Sequence, residues 1–164
     1  MMVNFLQPGL IMIIAGLLLL IVPEALRKVV VLGAPMVTAY AVVTTASDKL
    51  TLMVGIIFSA IAIIAAIYNL HVKDKYELAA EAVYAGSSIS VIFATHWIGM
   101  LIFWELMAVA SWLIVISSRT EKATKAGFRY LLVHMLGGNL LLAGIVMKIH
   151  SGSTLIECLT GQQD

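Results

Sequence analysis

One acidic residue stands where acids are rare. Glu105 is flanked by Leu101-Ile102-Phe103-Trp104 on one side and by Leu106-Met107-Ala108-Val109-Ala110-Ser111-Trp112-Leu113 on the other. The run is apolar and long enough to cross a bilayer, and a carboxylate at its middle costs about 2.5–3.5 kcal/mol on insertion scales. Such a group usually has a partner or a task. Burial favours the neutral form of a carboxyl and a nearby cation favours the charged form. A carboxylate facing a movable cation can therefore take up and release a proton, which is the core of a proton relay. The plainer alternative is a protonated acid that only hydrogen-bonds a neighbouring helix. On the helical face of Glu105 only Ala108 is small, so it offers one point of close approach.

His134 is the second candidate for proton translocation. It lies at comparable depth in the next apolar run, with Gly127, Tyr130, Gly137 and Gly138 on or near its face. An imidazole exchanges protons near neutral pH because its unperturbed pKa is about 6.5. The alternative is packing glue, with the ring bonded to a backbone carbonyl. Glu81 and Arg129 are secondary candidates. Glu81 lies nearer a helix end, placed to feed protons to the interior; pairing with Lys73, Lys75 or Arg129 is the plainer expectation. Arg129, with Lys125, opens the last apolar run, where long side chains snorkel to headgroups. Metal and cofactor binding have no support: His71, His96 and His150 stand near helix ends without metal-ligand spacing, and no phosphate-cradling motif occurs. Hydroxyls at Thr38, Thr44, Thr45, Ser87, Ser88 and Ser90 offer oxygens for a sodium ion, but in apolar helices they usually bond the preceding turn.

These groups must be held by membrane helices. The chain is 62% hydrophobic and 12% charged, far from the balance of a soluble domain. A net charge of +1 gives no reason to invoke nucleic acid, and a single cysteine, Cys158, excludes an intramolecular disulfide framework. The N-terminus lacks the positive region of a signal peptide. Apolar runs at about 3–22, 29–46, 50–70, 78–94, 97–117 and 126–147 predict an all-α polytopic protein with six transmembrane helices. Pro35 is expected to kink the second. With six spans, Arg27, Lys28, Lys73, Lys75, Arg119, Lys122, Lys125 and Arg129 fall on one side; Lys49 and Lys148 fall on the other. That asymmetry predicts both termini on the non-cytoplasmic side. The expected organisation is a three-helix segment over 1–75, a second three-helix segment over 76–149 and a polar tail over 150–164.

The stretch Phe103-Trp104-Glu105-Leu106-Met107-Ala108-Val109-Ala110-Ser111-Trp112-Leu113-Ile114 resembles a known family. So does its continuation through Arg119–Lys125, Ala126-Gly127-Phe128-Arg129-Tyr130-Leu131-Leu132 and His150-Ser151-Gly152-Ser153-Thr154-Leu155. The family is that of the antiporter-like membrane subunits shared by respiratory complex I, Mrp-type cation/proton antiporters and energy-converting membrane-bound hydrogenases. The likeness is good from about Glu77 to Leu155; the first three helices match only in pattern. It implies about fourteen helices in inverted repeats of five, an essential acid at the position of Glu105, and a lysine in the seventh helix as its partner. It also implies a prokaryotic plasma membrane. This sequence stops in the loop before the seventh helix, and it has Thr95-His96-Trp97 where many relatives carry an acid.

The expected function is translocation of protons or monovalent cations, H⁺ or Na⁺, as an antiporter-like subunit of a larger membrane complex. The expected form is a split or truncated subunit, completed by another chain that supplies the lysine-bearing helix. The alternative is a structural or assembly subunit of the same kind of complex that moves no ion. A self-contained multidrug/proton exchanger rests on the lone acid only. No catalytic chemistry or cofactor is expected in this chain; any redox steps belong to other subunits.

Overall fold

The computed structural model describes residues 7–150 together with Gly152 and Ile156. Nearly all of the rest of the tail expected over 150–164 lies outside the described residues, as do Cys158 and most of the motif from Ser151 to Leu155. Six α-helices follow one another: α1 Pro8–Leu19, α2 Glu24–Thr45, α3 Lys49–Tyr68, α4 Lys75–Ile92, α5 Trp97–Ile116 and α6 Glu121–His150. A 3-10 turn, Asn69–His71, extends α3. The described residues contain no strand.

Local chemistry sets several boundaries. Pro8 opens α1 at a position where a missing N–H is harmless. Asp48 caps α3 by accepting from the Thr51 amide at 2.9 Å, and Asp74 caps α4 by accepting from the Tyr76 amide at 2.9 Å. Thr120 accepts from the Ala123 amide at 3.1 Å. Glu121 and Lys125 pair one turn apart. Much of the stretch read as a basic linker is therefore the first turn of α6, which begins five residues before the apolar run. Propensity and capping, rather than hydrophobicity, decide where it starts. Pro35 does not end α2, which continues through it with the ring fully buried.

Among the described residues four helices are long and apolar enough to cross a membrane: α2, α3 with its 3-10 turn, α5 and α6. All six expected helices are present, and four of them meet the length and apolarity of a span. Among the described residues α1 is a shorter apolar helix, and α4 is 18 residues long but carries Glu77, Glu81, Ser87, Ser88 and Ser90. Its polar groups are tolerated because α4 is the inner helix, packed against α1, α3 and α5. Ser87 and Ser90 are completely buried.

Glycine makes the α1–α4 contact possible. A Cβ at Gly86 would lie 2.6 Å from the Gly9 carbonyl oxygen and 2.8 Å from the Ile13 nitrogen. One at Gly16 would lie 2.9 Å from the Ala79 carbonyl oxygen. The two backbones thus touch in antiparallel register, the small-residue packing by which helices associate where lipid removes the hydrophobic drive. Leu19, Leu78 and Ala79 close this core at one end.

The α1–α2, α3–α4 and α5–α6 connections share that end. Lys75 donates to the Leu20 carbonyl at 3.1 Å, tying the start of α4 to the α1–α2 turn. Arg119 pairs with Asp74 at 2.7 Å, tying the α5–α6 loop to the α3–α4 loop. At the opposite end Gly55 of α3 lies against Val42 and Phe93, and the Ile156 amide donates to the Thr95 carbonyl at 3.0 Å.

Candidate functional site: the seam between α5 and α6

α5 and α6 run antiparallel, and their contact holds both main candidates. The register is marked along its length. A Cβ at Gly127 would meet Ile116 Cγ2 at 2.7 Å and Trp112 Cδ1 at 3.3 Å. The Ser111 and Tyr130 hydroxyls are hydrogen-bonded at 2.6 Å. The His134 ring lies 5.7 Å from the Trp104 ring and 5.9 Å from that of Tyr130. Next comes Glu105, whose carboxylate rests on Gly138: a Cβ built there would overlap Oε1 and approach Cδ to 3.3 Å.

Gly138 thus provides the room for the acid. The sequence shows Gly137-Gly138 as open space near His134, but the neighbour that uses the space is Glu105. Gly137 faces away, with nothing within 4 Å of a Cβ placed on it. Ala108, the point of close approach expected from the sequence, is buried with 1% of its surface exposed.

The seam brings Glu105 and His134 to neighbouring levels, one helical turn apart on α6 when Gly138 marks the acid. No hydrogen bond or ion pair joins Glu105 to any described side chain. His134 Nε2 and Trp104 Nε1 are both buried without a hydrogen-bond partner among the described residues. The imidazole is therefore not held by a backbone carbonyl through Nε2, as the packing alternative expects. Two buried ring nitrogens and a carboxylate on a bare glycine leave polar capacity along one seam. Such groups mark places where water, an ion or another side chain is engaged.

The secondary candidates lie elsewhere. Glu81 does not pair with Lys73, Lys75 or Arg129. It accepts from the Asn69 side-chain amide on the far side of α4, while Lys75 turns to Leu20 and to the face of Tyr76. The physical reason is register: Glu81 lies six residues into α4, below the level of the basic loop. Arg129 is exposed, one residue outside the α5-facing side. Asn69, buried to 8% exposure, was not singled out by the sequence. An asparagine beside a loop gives little signal until the fold places a carboxylate against it.

Residues 94–161 match the family described as NADH:quinone oxidoreductase/Mrp antiporter, transmembrane. The match covers α5, α6 and the seam between them, so over this segment the chain carries the transmembrane signature of that family. It begins at residue 94, later than the start near Glu77 expected from the sequence. No curated protein and no solved structure matches the chain. The matched segment and the four long apolar helices are those of an integral membrane protein by length and composition.

Proposed function

We propose that the chain is a proton- or monovalent-cation-translocating, antiporter-like subunit of a larger membrane complex, in which Glu105 is the exchanging acid. The observation that carries this reading is the Glu105 carboxylate seated on Gly138, within the segment matched by the family. Trp97 and Ile116 bound α5, which puts Glu105 roughly 12 Å from one end and roughly 16 Å from the other at ~1.5 Å per residue. Protonation there changes the charge of a site shielded from bulk water on both sides.

His134 is the relay partner on the same seam. Its buried Nε2 is available to water or to a group from a neighbouring subunit. The cation that drives release of the proton comes from outside the described residues. The chain crosses the membrane six times in this reading. α4 lies antiparallel to α3, bonded to it at Asn69 and reaching Gly55 through Phe93, so it traverses the same thickness despite its polarity. Both termini face away from the cytoplasm of a prokaryotic plasma membrane.

The test is Glu105→Gln in the reconstituted complex. The amide keeps the shape and cannot exchange a proton, so assembly should persist while proton or sodium flux is abolished. Undiminished flux would assign the chain a structural role instead.

A further inference from the structure

We propose that Glu81 and Asn69 form a second, water-fed proton-loading site, reached from the basic-loop end of the bundle and separate from the α5–α6 seam. The proposal does not depend on the role given to Glu105.

Glu81 projects between α1, α2, α3 and α4 beside a half-open cavity of about 40 Å³. A water needs roughly 10–15 Å³ of such space and two or more polar partners. The cavity wall is largely small, with Ala62, Ala65, Ala66, Ala82 and Ala85, and its polar groups are Glu81 and Asn69. A larger pocket of about 370 Å³ opens beside it at the bundle end. Val31, Asn69 and Leu78 line both spaces. The amide that bonds Glu81 thus stands at the neck between the outer pocket and the inner cavity.

A second observation lies deeper in the bundle. Thr38 Oγ1 and Ser59 Oγ are buried without hydrogen-bond partners, at 0% and 3% exposure. Val42 of α2 touches Gly55 of α3. One turn back along α2 and one turn on along α3, the antiparallel register brings Thr38 and Ser59 to one level. Hydroxyls in apolar helices ordinarily bond the preceding turn, as Thr44 and Thr45 do. Thr38 and Ser59 do not, nor do Ser87 and Ser90 of α4; Thr38 and Ser59 lie deeper in the bundle, outside the lining of the cavity at Glu81.

The charged groups around the site are few. Glu24, Arg27 and Lys28 from α2 and His71 and Lys73 from the α3–α4 connection line the mouth, where solvent and salt screen them within about 10 Å. Glu77 lies one turn before Glu81 on α4. α1 contributes no titratable group, and α3 contributes only Lys49 at its far end and the exposed Tyr68. No cation among the described residues is bonded to Glu81. The carboxylate therefore faces an uncharged donor and water-sized space, an arrangement suited to gaining and losing a proton. A purely structural clamp between the 3-10 turn and α4 requires only an acceptor at this position, which glutamine also supplies.

The experiment is infrared difference spectroscopy on the full chain in lipid nanodiscs across an acid pH step. A protonated-carboxyl band is expected that Glu81→Gln removes and Glu105→Gln leaves. Its hydrogen–deuterium exchange should slow about tenfold or more when Val31→Phe or Leu78→Trp fills the neck, as closure of a water path requires. A band indifferent to Glu81→Gln would overturn the proposal. So would exchange as fast in a folded neck variant as in the parent.

Discussion

Gly138→Ala is the most direct perturbation of the seam, because it adds one methyl group where the Glu105 carboxylate rests. The new Cβ would overlap Oε1, so the carboxylate must withdraw by about 1 Å or more to restore van der Waals separation. The obstacle is the end of a flexible side chain, not backbone, and an off-rotamer glutamate costs about 0.5–1.5 kcal/mol. Alanine in place of glycine within a helix returns about 1 kcal/mol. The two terms nearly cancel, so assembly and thermal stability should change little. Function should change far more: a 1 Å displacement of a positioned group can lower rate by about 10²-fold. The assay is cation-coupled proton flux into proteoliposomes carrying the assembled complex. Gly137→Ala supplies the control, since it gains the same helix propensity and meets nothing within 4 Å. Glu105→Asp in the Gly138→Ala background shortens the acid by the space the methyl group takes and should recover part of the flux. Equal flux in the Gly138→Ala and Gly137→Ala complexes would refute the reasoning.

Two further predictions concern the scaffold. Gly86→Ala should destabilise the chain by about 1–3 kcal/mol, measured as a lowered melting midpoint, because its Cβ meets the α1 backbone at Gly9 and Ile13; Gly33→Ala, in open space, should have no such effect. Asp48 caps α3, and the Thr51 hydroxyl and amide that donate to it hold its carboxyl below the ordinary carboxylate value. A group lowered on folding stabilises above its unfolded value and loses that contribution as pH falls through the folded one. The melting midpoint of wild type should therefore exceed that of Asp48→Asn at neutral pH and converge with it in acid. A constant gap across the acid range would show that the carboxylate is not the capping acceptor.

The helices themselves were legible because apolar length is a one-dimensional signal. All six were found, and the errors fell at their ends, where caps decide. Thr120 and the Glu121–Lys125 pair draw a charged stretch into α6 although its residues read as loop. α4 was readable as a helix but not as the inner one. Nothing in Glu81, Ser87 or Ser90 alone announces that α1, α3 and α5 cover them. The Gly9–Gly86 contact joins residues far apart in the chain, and its register appears only once the backbones meet.

The candidate site divides in the same way. Glu105 was legible from cost alone: an acid in a long apolar run needs a reason. Its immediate neighbour was not, since Gly138 lies on another helix and looked like room for His134. Glu81 shows the opposite case, an acid whose nearby lysines suggested ordinary pairing until the fold turned it towards Asn69. Two acids of one chain thus end on different faces of the α4–α5 pair, one on a glycine and one on an amide. Neither is bonded to a described cation. A carboxylate held by a fixed lysine or arginine is tied to one partner, and these two have no such partner among the described residues. That shared property, rather than proximity to each other, is what makes both of them candidates for moving protons.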